Sequence, residues 1–443
     1  MLESATDIVK IKALRNKVLF TLGCLAVFRV GAAIPVPGIN TEAVRNLFAA
    51  HQNTLLGFLD IFSGGALGQF SIFSMGVMPY INASIIMSLL QGAHVVPYLD
   101  RLAREGELGR RKLNQYIRYL TLVLAAFQSF GLTIAMSNMP TPGNIPVVSD
   151  PTIGFYLMTV LTLTTGTVFI MWLGEQITER GIGNGVSLII FAGIIDRLPS
   201  AVTKVIQLLR LEEISLFQTL FMTAMVLIVI GLVVWLETGQ RKIPVQYAKR
   251  VVGRKMYGGA STYLPLKVDQ SGVIAVIFAV SILAVPMTLI QFAQASPWAQ
   301  KIQGFMTSQN MFYEMIYVGL IIFFCYFYNS VSINPDDLAE NMKKWGGFVP
   351  GIRPGPPTAQ YIQWVMERIT LVGALSVAAL AVLPDLLRNW LNVPFFFGGT
   401  SLLIVVGVGL DTIGQLEAHL IMRHYEGFLK KGRIKGRWFN VGA

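Results

Sequence analysis

The sequence predicts an all-α polytopic membrane protein with ten transmembrane helices in two pseudo-symmetric five-helix halves, an inverted repeat. Three observations predict it. Of 443 residues, 53% are apolar and only 13% charged, and the mean hydropathy is +0.58, unlike a soluble globular domain. Ten apolar runs are each long enough to cross a hydrocarbon core about 30 Å thick, which takes roughly 20 helical residues. The net charge of +11 is spread unevenly between alternate connectors.

In chain order, Ile8, Ile11 and Leu14 interleave with Lys10, Lys12, Arg15 and Lys17, so residues 1–17 read as a cytoplasmic amphipathic N-terminus. This stretch is too charged for a signal peptide and no clear cleavage site follows, so no removal is expected. Runs near 18–34, 72–94, 118–138, 153–175 and 184–203 build an N-terminal half, 18–198. An external hinge loop, 199–214, leads to a C-terminal half, 215–418, with runs near 215–237, 270–292, 310–330, 367–386 and 398–418. Five spans per half invert the second half relative to the first. No convincing sequence repeat accompanies this symmetry, which is inferred from topology.

With both termini in the cytoplasm, the basic clusters at 10–17, 101–112, 241–267, 343–353 and 423–437 all fall inside. The outside keeps only scattered charges such as Arg45, Lys204, Arg210, Lys301 and Arg388. The basic excess is therefore topological and needs no nucleic acid, although an anionic peripheral partner such as ribosomal RNA remains compatible with it. Two cytoplasmic loops, 238–268 and 331–365, are longer than connectors need to be. In RKIPVQYAKRVVGRKMYGGASTYLPLK, alternation about Gly258 and Gly259 predicts a basic β-hairpin. NPDDLAENMKKWGGFVPGIRPGPPTAQ predicts a short helix and a Gly/Pro-rich turn presenting Arg353. The remainder, 419–443, is a basic cytoplasmic tail.

Catalytic signatures are missing. There is no GxxxxGK[ST] phosphate loop, and GIGNGV at 181–186 lacks dinucleotide spacing and reads as a tight turn into the fifth span. His51, His94, His419 and His424 have no zinc spacing, and no G-x-S-x-G motif occurs. Cys24 and Cys325 lie in separate apolar runs and read as small core residues. Most charges within the apolar runs sit near span ends: Arg29, Glu175, Asp196 and Arg197. Asp411 is deeper and reads as a partner for a polar group inside the bundle. Neither an enzyme nor tight binding of a small charged solute fits.

LGFLDIFSGGALGQFSIFSMGVMPYINASIIMSLL, residues 56–90, resists the simple pattern, because Asp60, Gly64, Gly65, Gly68, Gly76 and Pro79 interrupt it. SGGAL with SIFSMGVMPYINASII, then EGELGRRKLNQYIRY, MWLGEQITERGIGNGVSLIIFAGI, GFVPGIRPG and FGGTSLLIVVGV, in this order, closely resemble the SecY family of protein-conducting channels over nearly the whole chain. The resemblance implies two halves hinged between spans five and six, with a lateral gate opposite. It implies a pore that passes unfolded preproteins across the bacterial cytoplasmic membrane and releases hydrophobic helices and signal peptides into membrane lipid. Implied partners are SecE, SecG and the drive of the SecA motor ATPase or a ribosome, with no cofactor.

By motif position the family's pore ring falls on Val77, Ile81, Ile190, Ile277, Ser281 and Ile404. Val77 with Ile81, and Ile277 with Ser281, are i, i+4 pairs that share a helix face, which is also ordinary helix packing. Residues from about 55 to 70 resemble the family's plug, a re-entrant helix in the outer funnel. They include Asp60, Ile61, Phe62, Ser63, Gly64, Gly65, Ala66, Leu67 and Gly68. Asn82, Ser84, Ser88 and Gln91 on span two and Gln128 on span three are placed for weak bonds at the lateral gate. Arg250, Arg254 and Arg353 fall in the loops that dock the motor or ribosome. Ala275 stands where many relatives carry proline, a difference that bears on bending of the seventh span. Two rivals remain at this point, a solute transporter built on inverted repeats and an insertase scaffold without a pore.

Overall fold

Backbone polar groups in hydrocarbon must find partners within their own segment, so long apolar runs become helices. The computed structural model, which describes residues 11–50, 60, 63–92, 96–138, 146–148, 151–247, 250–252, 255–257, 261–292, 311–391 and 399–431, is mostly helical, and its helices overlap the apolar runs read from the sequence. The helices are α1 (Lys12–Ala32), α2 (Thr41–Ala50), α3 (Met78–Gly92), α4 (Pro97–Arg104), α5 (Glu107–Asn138), α6 (Ile153–Arg180), α7 (Gly185–Asp196) and α8 (Leu198–Arg210). After these come α9 (Leu216–Thr238), α10 (Val273–Phe292), α11 (Met311–Ser332), α12 (Pro335–Lys344), α13 (Pro356–Leu391) and α14 (Gly399–Lys431). Among the described residues, seven helical stretches are long and apolar enough to cross a membrane. The chain is a multi-pass membrane protein.

Several boundaries differ from expectation for physical reasons. Lys12 to Lys17 form the first turns of α1 itself, so the described part of the N-terminal amphipathic stretch is continuous with the first span. The second span begins at Met78 rather than near residue 72. Residues 72–77 run in turns, Gly76 has a left-handed φ of 54°, and Pro79 suits the first turn of a helix. The hinge expected as a loop over 199–214 is helical through Arg210. Pro199 is tolerated at the second position of α8, and Ser215 and Gln218 form a capping box that starts α9. GIGNGV is the expected tight turn: Asn184 caps α7 by accepting from the Val186 and Ser187 N–H groups, and Gly183 has φ 84°.

The halves meet along two seams. On one, α10 packs on α3 and α5, and α11 packs on α3; on the other, α14 packs on α7. One apolar core joins both halves, with Phe28, Phe73, Ile189, Val276, Phe324, Val377 and Leu403 among its buried members. On the cytoplasmic side as read from charge, β1 (Gln240–Tyr247) pairs antiparallel with β4 (Ser261–Lys267) and with β5 (Gly347–Phe348), while β2 (Arg250–Val252) pairs with β3 (Lys255–Tyr257). The basic hairpin exists, but every pair is symmetric about the point between residues 253 and 254, not about Gly258 and Gly259, which lie outside the described residues. Ile243, Val245, Leu266, Met342, Val349, Ile362 and Met366 form a separate small core that ties this sheet to α12 and α13. The two long loops therefore make one unit.

Candidate functional site

The residues expected to form a pore ring are buried on or beside four helices. Val77 just ahead of α3, Ile81 on α3, Ile190 on α7, Ile277 on α10 and Ile404 on α14 belong to one contiguous core, each no more than 5% exposed. Ser281 on α10 is fully buried beside them, and its hydroxyl donates to Met78 Sδ at 3.7 Å. All six expected ring positions are thus buried, five of them in this one apolar core. Their packing has no directional bonds apart from that weak contact with sulfur, so it resists water while its side chains remain able to yield.

The segment from Asp60 to Phe70 packs on the same core through Ala66; Asp60 is helical, the described residues from Ser63 to Phe70 form turns and one 3₁₀ turn (Leu67–Gln69), and the expected helix otherwise falls on residues 55–59, 61 and 62, outside the described residues. Glycine at 64 and 65 has positive φ, 68° and 80°, which an α-helix does not accommodate. Polar bonds hold the segment together. The Ser63 hydroxyl donates to the Asp60 carbonyl at 3.1 Å and accepts from the Leu67 N–H, while Gly68 N–H donates to Asp60 Oδ1 at 2.6 Å. The Ser74 hydroxyl donates to the Ala66 carbonyl, and Phe70 O accepts from Val36 N–H, tying the segment to the chain after α1. A Cβ on Gly64 would stand 2.9 Å from Gly193 Cα, so glycine lets the segment lie directly on α7. Ile61 and Phe62 lie outside the described residues.

Charged groups grip the same segment. Asp60 is only 7% exposed and its carboxylate pairs with Arg197 between α7 and α8; Arg29 of α1 donates to the Gly64 carbonyl at 2.8 Å and pairs with Asp196. Sequence reasoning placed these charges near span ends but missed that they converge. A usable signal was the adjacent Asp196 and Arg197 at the end of a helix that is otherwise apolar.

Along the first seam, Asn82 and Gln128 are buried, and Ser84, Ser88 and Gln91 are half-buried. Asn82 Oδ1 is buried without a hydrogen-bond partner. Gly92 lets α3 approach α11, since a Cβ there would meet Phe327 at 2.7 Å. At the start of α10, Asp269 accepts from the Ser271 hydroxyl at 2.9 Å and from Gly272 N–H at 2.8 Å. Burial pushes its carboxyl above the usual carboxylate range, and these bonds oppose the shift. Ala275 is the third residue of α10, where a backbone N–H has no intrahelical partner in any case, so alanine in place of proline alters no helix bond there. The helix carries a proline further on, Pro286.

On the cytoplasmic unit, Arg353 is exposed in the turn between β5 and α13, and its carbonyl accepts from the Thr358 hydroxyl at 2.8 Å. Arg250 opens β2, whereas Arg254 lies outside the described residues.

Comparison with known proteins identifies the family and the fold. The SecY family model matches residues 71–413. The chain is 47% identical over 426 residues to the protein translocase subunit SecY of Escherichia coli strain K12, covering 96% of this chain and 95% of that one. It is 44% identical over 432 residues to the protein translocase subunit SecY of Aquifex aeolicus, covering 97% of this chain and all of that one. Among solved structures, one described as a protein-conducting channel superimposes with a TM-score of 0.66 at 16% identity, over 95% of this chain and 94% of that one. The canine Sec61 of a ribosome-channel complex from the endoplasmic reticulum superimposes with a TM-score of 0.62 at 16% identity over the same shares. Sequence identity across nearly the full chain, with the fold and the order of motifs, places this chain in the SecY family.

Proposed function

We propose that the chain is the central pore-forming subunit of a protein translocase, passing unfolded preproteins across a bacterial cytoplasmic membrane and releasing hydrophobic segments laterally into lipid. The observation that supports this is that Val77, Ile81, Ile190, Ile277 and Ile404, in or beside four helices, are buried in one apolar core, with Ser281 buried one turn from Ile277; in this reading they form the waist of the pore. An apolar constriction opposes a water column in the resting state, and side chains without directional bonds can part around any extended polypeptide. Such a waist has no sequence preference, as a general exporter requires.

In this reading the protein has ten spans and both termini in the cytoplasm, because only that orientation collects the basic clusters inside. The segment 55–70 is the plug. The seam of α3 and α5 against α10 and α11 is the lateral gate, where sparse polar side chains give a closure cheap enough to undo. The unit built from β1, β4, β5 and α12 presents Arg353, with Arg250 and Arg254, to a SecA-type motor or to a ribosome; SecE and SecG complete the membrane complex. A channel subunit that performs no catalysis draws its drive from such a partner.

Photocrosslinkers at Ile81 and Ile277 test the pore. A preprotein stalled in transit is expected to give adducts from both positions. No adduct from either, in a complex shown to be assembled, would refute the waist as the polypeptide path.

A further inference from the structure

A carboxylate that is 7% exposed needs a partner that remains charged, and Asp60 has one in Arg197, 137 residues away in sequence. The guanidinium is about a third exposed and stands between α7 and α8, so the pair joins the plug segment to the end of the fifth span. A second arginine acts in parallel from the first span. Arg29 holds the Gly64 carbonyl at 2.8 Å and is itself steadied by Asp196, next in sequence to Arg197. Two cations and two anions balance, and both grips on the segment come from the N-terminal half. Gly65 faces the same arginine, since a Cβ there would lie 3.8 Å from an Arg197 Nη atom.

We propose that Arg197 and Arg29 are positioning residues that latch the plug: the Asp60–Arg197 pair and the Arg29–Gly64 bond set the free energy of the shut state, and displacement of the plug requires their separation. The inference rests on reading 55–70 as the plug. It adds that the shut position is specified by charge and not by apolar packing alone. Asp60 serves both ends of the device, binding Arg197 through Oδ2 and the Gly68 N–H through Oδ1, so the fold of the segment and its attachment fail together. The Arg197 and Arg29 side chains are each partly exposed, 31% and 47%, so separation from the segment does not leave a fully buried cation.

The test is resting ion conductance of the assembled complex in planar bilayers without preprotein. It compares wild type, a deletion of residues 60–68, Asp60→Asn, Arg197→Gln and the double substitution. Asp60→Asn keeps the oxygen facing Gly68 and removes only the charge, so it does not threaten the fold. The expected result is a leak in the deletion and a rise of about tenfold in each single substitution, equal to ~1.4 kcal/mol. The double substitution should leak no more than the leakier single one, because both remove the same bond. If the deletion leaks while Asp60→Asn and Arg197→Gln stay as tight as wild type, the latch is wrong and the plug reading stands. If the deletion itself does not leak, the plug reading fails, and the latch falls with it.

Discussion

The proposed waist and the segment from Asp60 to Phe70 are held by opposite physics. The waist is aliphatic, buried and almost without directional bonds; the segment from Asp60 to Phe70 is fixed by serine hydroxyls, glycine N–H groups and two arginines. Apolar closure is tolerant, since side chains of similar volume can repack. Polar closure is specific, because each donor has one matched acceptor and an unmatched one is costly. A channel needs both. In the proposed function the waist must reseal around any sequence, whereas the segment proposed as the plug must return to a single resting place. Altering each region should therefore damage a different property.

The largest expected effect lies at the waist. Ile404 is fully buried, and Ile404→Ala leaves a cavity that costs about 2–4 kcal/mol. Thermal unfolding in detergent should shift down clearly, while resting conductance should rise little if the segment from Asp60 to Phe70 is the plug proposed above. A large leak with unchanged unfolding would reverse the assignment of roles. Next comes Gly64→Val. Its φ of 68° is unfavourable for a β-branched residue, and the new Cβ meets Gly193 Cα at 2.9 Å, at a cost of about 2 kcal/mol in the shut position only. Here conductance should rise by more than an order of magnitude, about thirtyfold for that cost, and the unfolding temperature should move little. If instead the protein unfolds early, the segment is part of the core and not a separable stopper.

The two regions also differed in how far the sequence disclosed them. The burial of positions 77, 81, 190, 277 and 404 was legible from their place in or beside apolar runs, whereas their assignment to a ring came from motif order through the family resemblance and not from spacing, since an i, i+4 pair is also ordinary helix packing. Spans were legible for the same reason, since 20 apolar residues have few other uses in a membrane protein. The bonds around Asp60 were not legible. They join residues 137 apart through a turn whose glycines permit many backbone paths, and no local pattern states which arginine a buried aspartate will meet. The hairpin was recognised, but Gly258 and Gly259 misled as to its centre. Register is set by pairing along whole strands, and Val251 opposite Met256 with Val252 opposite Lys255 fixes it five residues earlier.

A smaller effect is expected at the first seam. Asn82 Oδ1 is buried without a partner, a state that costs about 1–3 kcal/mol. Replacing the amide with an apolar group of similar size, Asn82→Leu, should stabilise the shut seam by ~1 kcal/mol. The readout is twofold: a modest rise in unfolding temperature and slower release of a hydrophobic segment into lipid, followed by crosslinking to lipid over time. Lower stability would mean that a bound water or a partner subunit satisfies this oxygen.

The smallest effect on the structure should come with a clear effect on transport. Arg353 projects from a turn whose shape is kept by its own carbonyl accepting from Thr358, and by Val349 and Ile362 in the small core beneath. None of these contacts uses the guanidinium. Arg353→Glu should therefore leave assembly and the unfolding temperature as in wild type, yet reverse the charge offered to an acidic partner surface. In reconstituted vesicles, motor-driven export should fall by an order of magnitude or more, and the loss should deepen as salt is lowered and repulsion grows less screened. Resting conductance should not change, which separates this position from both seals. If export continued at the wild-type rate, Arg353 would be an ordinary solvated charge, and the docking surface would have to be sought along β1 and β4.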